Sequence, residues 1–439
     1  MVLALSLLAC GPQQVTYINN TYVLGEDGGS DAYDETTGAP DETVDAEVLA
    51  LDAWDDGNLF WFGVTPEQVA QMNEDWSKGG GAFLYEIGGA ETTYADPLLV
   101  GAGADVASFG KVEVRLLGQS TGTTWEPASL PNLRIDADEF QDGLQIGGQE
   151  HLRFNNGQVG GILRESIAID VFRAVGVPVP KASFAWVGAS IWGEDVRVPY
   201  TMTEVYKQPF CEENAALLGG GCTNLWETTG DLTGDNINGV SQGCQLETCD
   251  DTRLRELSAI LDVTPPGPGF EAATAPYVDW HAFQRLQCMS WVLWTGDDYL
   301  HNYNNLVVVE RPDGMFQLLP YSIDISAGQA WYVNTPLRGN SSLPAGCQAD
   351  PDCWAELLDT CDSVITDFTA TDPVGMVDAT YARLQASGME REPDAAMYTE
   401  VRDWYTQRLL DLPGELQKYR DGGFDTGGDT GIIDTAFPL

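Results

Sequence analysis

The segment types change once along the chain, and this change constrains the fold more than any other feature. Between about residues 50 and 205, short apolar or alternating runs bounded by Gly, Pro and Asn predict strands at 111–118, 132–140, 182–192 and 198–206. One helix interrupts them at 162–175, with an apolar residue every four positions. From residue 250 the periodic segments predict helices at 252–262, 278–295, 375–387 and 396–411. The pattern predicts an α+β fold with a β-rich first lobe, 49–206, and a mainly helical second lobe, 207–420.

The N-terminus resembles a bacterial lipoprotein signal. An apolar run ends at Leu7-Leu8-Ala9-Cys10, which matches the lipobox whose Cys becomes lipidated. The run is too short to span a bilayer as a helix. A signal peptide also needs a basic start, whereas the first basic residue here is Lys78, so we expect a start codon farther upstream. The alternative is a short buried strand or helix.

Two segments have compositions that do not form a core. Residues 24–48 are acidic and small with no basic residue, which predicts a flexible tether, assigned to 11–48, after a signal at 1–10. Residues 421–439 are a Gly/Asp/Thr low-complexity tail. We therefore expect an exported protein, lipid-anchored at a bacterial membrane in the periplasm or on the cell surface, that touches the membrane only through its N-terminal lipid.

The charge excludes two classes of partner. The chain has 67 acidic and 21 basic residues, for a net charge of −46. Binding to nucleic acids and to anionic membranes requires clusters of cations that neutralise phosphates. We therefore expect no nucleic-acid partner and no polybasic membrane patch.

Eight cysteines remain after Cys10, and they fall mostly in two stretches, 211–249 and 340–365. An even number in a chain with an export signal predicts disulfides. Zinc is the alternative, but no paired CxxC occurs and the three His lie outside the clusters. Two pairs, Cys211–Cys222 and Cys244–Cys249, are close enough in sequence to close local loops. We interpret the two cysteine-rich stretches as long loops stapled by disulfides, or alternatively as a surface that binds a substrate or partner.

The densest polar cluster in an apolar setting lies at 294–328. Asp297 and Asn302 have the D-x-x-x-x-N spacing of a kinase catalytic loop, where Asp is the base and Asn binds Mg²⁺. A predicted hairpin then returns the chain to Asp324, a second hard oxygen ligand. The alternative is a polar hairpin with Asx-turns.

A second motif lies between two predicted strands. Gly118-Gln-Ser120-Thr-Gly122 fits the G-x-S-x-G pattern of a hydrolase nucleophile, but no helical period follows it as that motif requires. A glycine-flanked turn between strands is the better interpretation.

These motifs occur in an order that resembles the CotH-type (spore-coat protein H) kinase family. Its D-x-x-x-H-N-Y pattern matches Asp297 to Tyr303, and its P-W-D-x-D pattern matches Pro320-Tyr321-Ser322-Ile-Asp324 in part. The first lobe adds further similar segments, which are Arg115 to Ser120, Leu130 to Asp136, Leu152 to Asn156, Leu163 to Glu165, Gly176 to Ser183, and Met202 to Glu204.

The resemblance implies a bilobal atypical protein kinase that transfers phosphate from ATP, with Mg²⁺ or Mn²⁺, to Ser/Thr of exported or surface proteins. Asp297 would be the base, and Asn302 and Asp324 would hold the metal. The remaining implied nucleotide-site residues are Gly118 and Ser120 in a loop over the phosphates, Glu165 as partner of a phosphate-binding Lys, and Glu204 near the hinge. The alternative for Glu165 is an exposed glutamate in the first helical turn.

Two positions depart from the family pattern. Leu130 stands where the family has Lys, and Ser322 replaces the first Asp of P-W-D-x-D. Arg134, about 13 Å farther along the strand, and Lys111 are candidate replacements for the cation. A catalytically inactive surface binding or structural module is therefore the alternative function.

Overall fold

The computed structural model describes most of the chain beyond residue 53, and all described residues belong to the unit Val44–Leu439. The described residues are 54–78, 94–95, 98–102, 105–117, 124–125, 131–157, 161–193, 196–328 and 336–422. The predicted signal, the tether, Gly118, Ser120, Leu130 and nearly all of the predicted tail lie outside them.

Twelve described strands form two sheets. Their bounds are Leu59–Phe62 (β1), Tyr94–Ala95 (β2), Leu98–Ala102 (β3), Asp105–Ser108 (β4), Val112–Leu117 (β5), Asn132–Asp136 (β6), His151–Asn155 (β7), Ala182–Ala189 (β8), Arg197–Glu204 (β9), Asn224–Thr228 (β10), Leu306–Glu310 (β11) and Phe316–Pro320 (β12). The nine-stranded sheet has the order β2-β5-β6-β7-β9-β8-β1-β3-β4, and β10-β11-β12 form the second sheet. Only β1 and β8 pair in parallel among these strands.

Twelve described α-helices accompany the sheets, mostly after β9. Their bounds are Pro66–Lys78 (α1), Gly161–Ala174 (α2), Gln208–Glu213 (α3), Ile237–Gln242 (α4), Thr252–Val263 (α5), Phe270–Thr274 (α6), Trp280–Leu293 (α7), Tyr299–Asn302 (α8), Ser342–Ala349 (α9), Pro351–Ala370 (α10), Pro373–Ala386 (α11) and Glu392–Arg420 (α12). The predicted mixed α+β class, the main strands and the helices of the second half are confirmed.

The prediction of a single helix in the first half was wrong. Helix α1 begins with a capping box, in which the Thr65 hydroxyl accepts from the Gln68 amide and the Thr65 amide donates to the Gln68 side chain. Pro66 occupies the first helical turn, where its missing N–H costs nothing. Val69 and Met72 then bury one face against the large sheet. The cap was visible in the sequence, but the helix has too few apolar residues for its period to stand out.

The cysteine-rich stretches are stapled as predicted but are not only loops. All eight cysteines after Cys10 pair, including the two predicted local pairs, together with Cys288–Cys361 and Cys347–Cys353. The stretch 340–365 is largely helical, since α9 and most of α10 fall within it. No helix in the described part of the chain is long and apolar enough to cross a membrane.

The two faces of the large sheet differ where β5, β6 and β7 lie side by side. Val114, Ile135 and Phe154 point to one face and join its hydrophobic core. The alternate residues of the same strands point to the opposite face and are polar except for Leu117. Helix α2 packs against β8 and β9, and its apolar residues join the core of the helical half. The polar face beside α2 is therefore available for a site.

Candidate active site

Asp297 lies at the centre of a group of asparagine side chains. Its Oδ1 accepts from Nδ2 of Asn302 at 2.6 Å and of Asn304 at 3.1 Å. Asn305 Nδ2 donates to Asp297 Oδ2 at 3.1 Å and to its backbone oxygen at 2.6 Å. The structure thus brings the predicted base and the predicted metal-binding Asn302 into contact, and the amides fix the direction of the carboxylate.

The neighbouring Asp298 has a different environment. It is buried and caps α8, accepting from the His301 backbone amide at 3.1 Å and from the Thr295 hydroxyl at 3.1 Å. His301 Nδ1 lies 2.7 Å from Asp298 Oδ1, and its Nε2 lies 2.9 Å from the carbonyl oxygen of Pro336. Burial opposes a charge on His301, but the Asp298 carboxylate outweighs it and raises the pKa of the imidazole. Asp298 is therefore buried and holds the loop together, whereas Asp297 is half-buried and is held by the asparagine amides.

Asp324 follows β12 in a backbone of unusual conformation. The Ser322 hydroxyl donates to Asp324 Oδ1 at 3.0 Å, and Ser322 has a φ of 54°. Five of the six described non-glycine residues with positive φ lie in this region, namely Trp294, Tyr303, Asn305, Ser322 and Ala327. Such conformations cost free energy and cluster at sites where geometry serves function.

Glu165 reaches the same region from α2. It is 2% exposed, so the alternative of an exposed helical glutamate was wrong. Asn155 hydrogen-bonds Glu165, whereas Glu165 Oε2 has no hydrogen-bond partner among the described residues. The preceding Arg164 anchors α2 by donating to the carbonyl oxygen of Ala327 at 2.6 Å. Helix α2 is thereby tied to the segment that bears Asp324.

The sequence analysis missed Arg153, which lies between these carboxylates. Its guanidinium lies 5.2 Å from the centre of the Tyr321 ring. The charges of Tyr321, Glu165 and Asp324 outweigh its burial and raise the pKa of Arg153. Arg153 is on β7, and α2 is the next element along the chain. Its signal in the sequence was its place one strand before the helix that carries Glu165.

Burial raises the pKa of both Glu165 and Asp324, and the Asp324 carboxylate adds to the rise in the pKa of Glu165. Arg153 counteracts the shift in both, while Asp297 adds to it in Asp324. Glu165 and Asp324 thus share one neighbouring arginine. Among the described residues, the acidic side chains whose oxygens all lie within 4.8 Å of one another are Glu113, Asp136 and Glu139 and not those of this site. Mg²⁺ can be held by one or two carboxylates together with substrate phosphates, so Asp324 fits the expected metal only in that arrangement.

Arg134, the predicted substitute for the missing lysine, lies directly opposite Arg153 in the register of β6 and β7. Lys111, the second candidate, lies elsewhere, with its Nζ 4.1 Å from the centre of the Phe140 ring. Arg153 is therefore the cation near the carboxylates of Glu165 and Asp324, and Arg134 is its neighbour on the next strand.

Glu204 ends β9 but is directed away from Arg153. It accepts from the Gln149 side chain at 3.0 Å and from the Lys181 backbone amide at 3.2 Å. Burial raises the pKa of Glu204 to about 7. Its partners tie it to the loop before β7 and the start of β8, and it does not join Glu165 and Asp324.

No protein-family model and no curated protein matches the chain. Among the solved structures that match the chain are the following two. One is the Helicobacter pylori proinflammatory kinase CtkA, with 10% identity, a TM-score of 0.32, and coverage of 62% of this chain and 92% of that one. The other is the HipA–HipB toxin–antitoxin complex of Shewanella oneidensis MR-1 with its operator DNA, with 11% identity, a TM-score of 0.32, and coverage of 83% and 74%. Because both TM-scores are only 0.32, these similarities carry no functional argument. The function proposed below is based on the residues of the site.

Proposed function

We propose that the chain is an exported kinase-like phosphotransferase of the CotH type, which transfers the γ-phosphate of ATP to a Ser or Thr hydroxyl of a surface or exported protein. The observation that carries the proposal is the convergence of Arg153, Glu165, Asp324 and Asp297 from four separate segments. Protein kinases need a strand cation beside a helical glutamate, a metal-binding Asp, and a catalytic-loop Asp five residues before an Asn. Each of these requirements has a candidate here.

In the proposed reaction, Asp297 accepts the proton of the acceptor hydroxyl while that oxygen bonds to the γ-phosphorus. The bond between the γ-phosphorus and the β,γ-bridging oxygen breaks, and ADP leaves with the electron pair. Asn304 and Asn305 hold the Asp297 carboxylate by donating to its two oxygens. Positioning of this kind supplies much of the catalysis in phosphoryl transfer.

Arg153 would hold the phosphates, and the buried Glu165 would keep its guanidinium in place. Arginine differs from lysine in offering a planar set of donors that can bind a phosphate through two hydrogen bonds. Asn302 and Asp324 would hold Mg²⁺ or Mn²⁺, which would neutralise charge on the phosphates. The loop containing Gly118 and Ser120 would cover the phosphates, and the segment after Glu204 would join the two proposed lobes.

The proposed location rests on the cysteines and the N-terminal motif. Eight cysteines form four pairs, as is typical of proteins that fold in an oxidising compartment. Cleavage and lipidation at Cys10 would anchor the chain to the membrane. The protein acceptor would then be met outside the cytoplasm.

An inactive binding module is the second candidate, and one observation favours it. Ser322 replaces a family carboxylate and donates to Asp324 Oδ1, so it occupies one oxygen of the remaining ligand. In this case a nucleotide or a protein would bind without transfer.

The test is incubation of the full chain with γ-labelled ATP and Mg²⁺ or Mn²⁺, with self-phosphorylation and added exported proteins as acceptors. We expect label on Ser or Thr, and its loss in Asp297→Asn. The matched control is Asp411→Asn, an aspartate on α12 that hydrogen-bonds only Gln407 among the described residues. Label that persists in Asp297→Asn, or its absence from the wild-type chain with every acceptor, would contradict the proposal.

A further inference from the structure

Three arginines stand in one row across the polar face of the large sheet. Arg115 on β5 pairs with Arg134 on β6, and Arg134 pairs with Arg153 on β7. Neighbouring strands lie about 4.8 Å apart, so the row extends about 10 Å from Arg153. This cationic row, Arg115–Arg134–Arg153, belongs to a chain of net charge −46.

The described residues neutralise the row only in part, since Asp136 interacts with Arg134 and the carboxylates of Glu165 and Asp324 interact with Arg153. Arg115 forms an ion pair with Glu113 at 2.7 Å. Arg134 has neither a hydrogen bond nor an ion pair with any described residue, and Arg153 contacts the ring of Tyr321. Like charges placed directly opposite on neighbouring strands destabilise a sheet. The side-by-side arginines therefore lower the stability of the free protein, and an anion bound to the row would offset this cost.

A fourth cation lies beside the row. Lys207 follows β9 and is half-buried. Burial lowers the pKa of Lys207 to about 8, and the charges of Arg134 and Arg115 contribute to this shift. Lys207 is thus close enough to interact with the arginines of the row, and it adds one more positive charge that a bound anion would neutralise.

The positions on either side of the row offer little apolar surface. They are Glu113, Asp136 and His151 on one side and Leu117, Asn132 and Asn155 on the other. His151 also lies 3.2 Å from an Asp136 oxygen, so both side chains are engaged with each other. Leu117 alone among these six is apolar, so on the described strands beside the row a purine or pyrimidine ring would find little apolar surface apart from the Tyr321 ring.

From this arrangement we infer that the cationic row binds the phosphate chain of the donor, and that the protein selects its donor by a run of three phosphates and not by its base. The ligand is a triphosphate chain, whether carried by a nucleoside or free as inorganic tripolyphosphate. The inference rests on the proposed function in placing the terminal phosphate at Arg153. Arg134 and Arg115 then extend the phosphate site beyond the single cation that phosphoryl transfer requires.

The energetics favour recognition through phosphate. Hydrogen bonds between guanidinium and phosphate are charge-assisted and are among the strongest polar contacts in proteins. A second and third arginine multiply this contribution, whereas a base gains little without an apolar surface. Nucleoside triphosphates with different bases should therefore bind alike.

The experiment is isothermal titration calorimetry on the full chain with equimolar Mg²⁺, using ATP, GTP, AMP and inorganic tripolyphosphate. We expect dissociation constants within about tenfold of one another for the three triphosphates, and no binding of AMP. Arg134→Gln should weaken all three by about tenfold to a hundredfold, while its unliganded melting temperature stays equal or rises. The matched control is Arg255→Gln, since Arg255 is an exposed helical arginine paired with Asp251.

The outcomes separate this inference from the proposed function. ATP that binds more than about tenfold tighter than tripolyphosphate would overturn the inference and leave the phosphotransferase standing. Equal binding of the triphosphates without transfer to any acceptor would support the inference and refute the phosphotransferase. An Arg134→Gln chain that binds all three triphosphates as the wild type does would also overturn the inference.

Discussion

Arg134 and Arg153 lie directly opposite each other on neighbouring antiparallel strands, with the carboxylates of Glu165 and Asp324 close to Arg153 alone. The two side chains are therefore not equivalent, although both are cations on the same face. Arg153 is placed to act within the site, and Arg134 is placed to extend it. The predictions below depend on this difference and on the separate environments of the two adjacent aspartates.

The first prediction concerns Arg153. Arg153→Gln removes the cation between the carboxylates and should lower kcat/KM for phosphoryl transfer by about a hundredfold or more, because a preorganised charge is lost from the transition state. Arg153→Lys should retain part of the activity, since it keeps the charge and loses the paired hydrogen bonds. Steady-state kinetics with labelled ATP would measure both. Equal activity in the Gln variant and the wild type would show that Arg153 does not contact the phosphates.

The second prediction separates Asp297 from Asp298. Asp297→Asn should abolish transfer while the melting temperature changes less than in Asp298→Asn, because Asp297 is half-buried and Asp298 is buried. Asp298→Asn should destabilise the fold by about 1–3 kcal/mol, because it weakens a buried, charge-assisted contact with His301. Thermal unfolding monitored by circular dichroism, alongside the transfer assay, distinguishes the two. A reversed pattern would make Asp298 the base.

The third prediction concerns Ser322. Ser322→Asp restores the carboxylate of the family pattern, and Asp tolerates the positive φ found at this position. The variant should bind Mn²⁺ more tightly than the wild type, as measured by titration calorimetry without nucleotide. Ser322→Ala is the control, since it removes the hydrogen bond to Asp324 without adding a ligand. Unchanged affinity in Ser322→Asp would mean that residue 322 does not face the metal.

The fourth prediction is a pH dependence at Lys207. Burial, then Arg134 and Arg115, lower its pKa to about 8, while Asp136 and Glu227 oppose the shift. A cation that loses its proton near pH 8 should weaken tripolyphosphate binding between about pH 7 and pH 9. The same shift makes the free energy of unfolding rise between about pH 8 and pH 10.5, because the unfolded chain holds the proton longer.

The matching variant for this profile is Lys207→Gln. Its affinity for tripolyphosphate should be lower at about pH 7 and should change less toward pH 9 than that of the wild type. Arg134, which keeps its charge throughout this range, provides the comparison. Identical profiles for the wild type and Lys207→Gln would exclude Lys207 from the phosphate site.

The fifth prediction concerns the disulfides. Cys288–Cys361 joins α7 to α10 across a sequence separation of 73, whereas Cys347–Cys353 closes a separation of 6. Loop-closure entropy gives about 4 kcal/mol for the long loop and about 2 kcal/mol for the short one. Paired Cys→Ala variants compared by urea unfolding should show the larger loss at Cys288–Cys361. Equal losses would indicate that local packing decides the stability of both.

The sequence determined the features that depend on short-range pattern. Periodicity and turn residues located the main strands and helices, and the even cysteine number indicated the pairing. The spacing of Asp297 and Asn302 is also local, and their side chains meet because a short loop and one helical turn separate them. Helix α1 was missed because its cap is local but its burial depends on the sheet it covers.

Only the tertiary structure decided which cation lies near the candidate carboxylates. A sequence search for a substitute starts from the missing lysine at position 130 and reaches Arg134 and Lys111. The register of β5, β6 and β7 instead places Arg153 beside Tyr321, Glu165 and Asp324, which are distant in sequence. Burial likewise distinguishes Asp298, which is buried against His301, from Asp297, which is half-buried. Electrostatic interactions act through space, so strand register and burial, which no local pattern encodes, assign these roles.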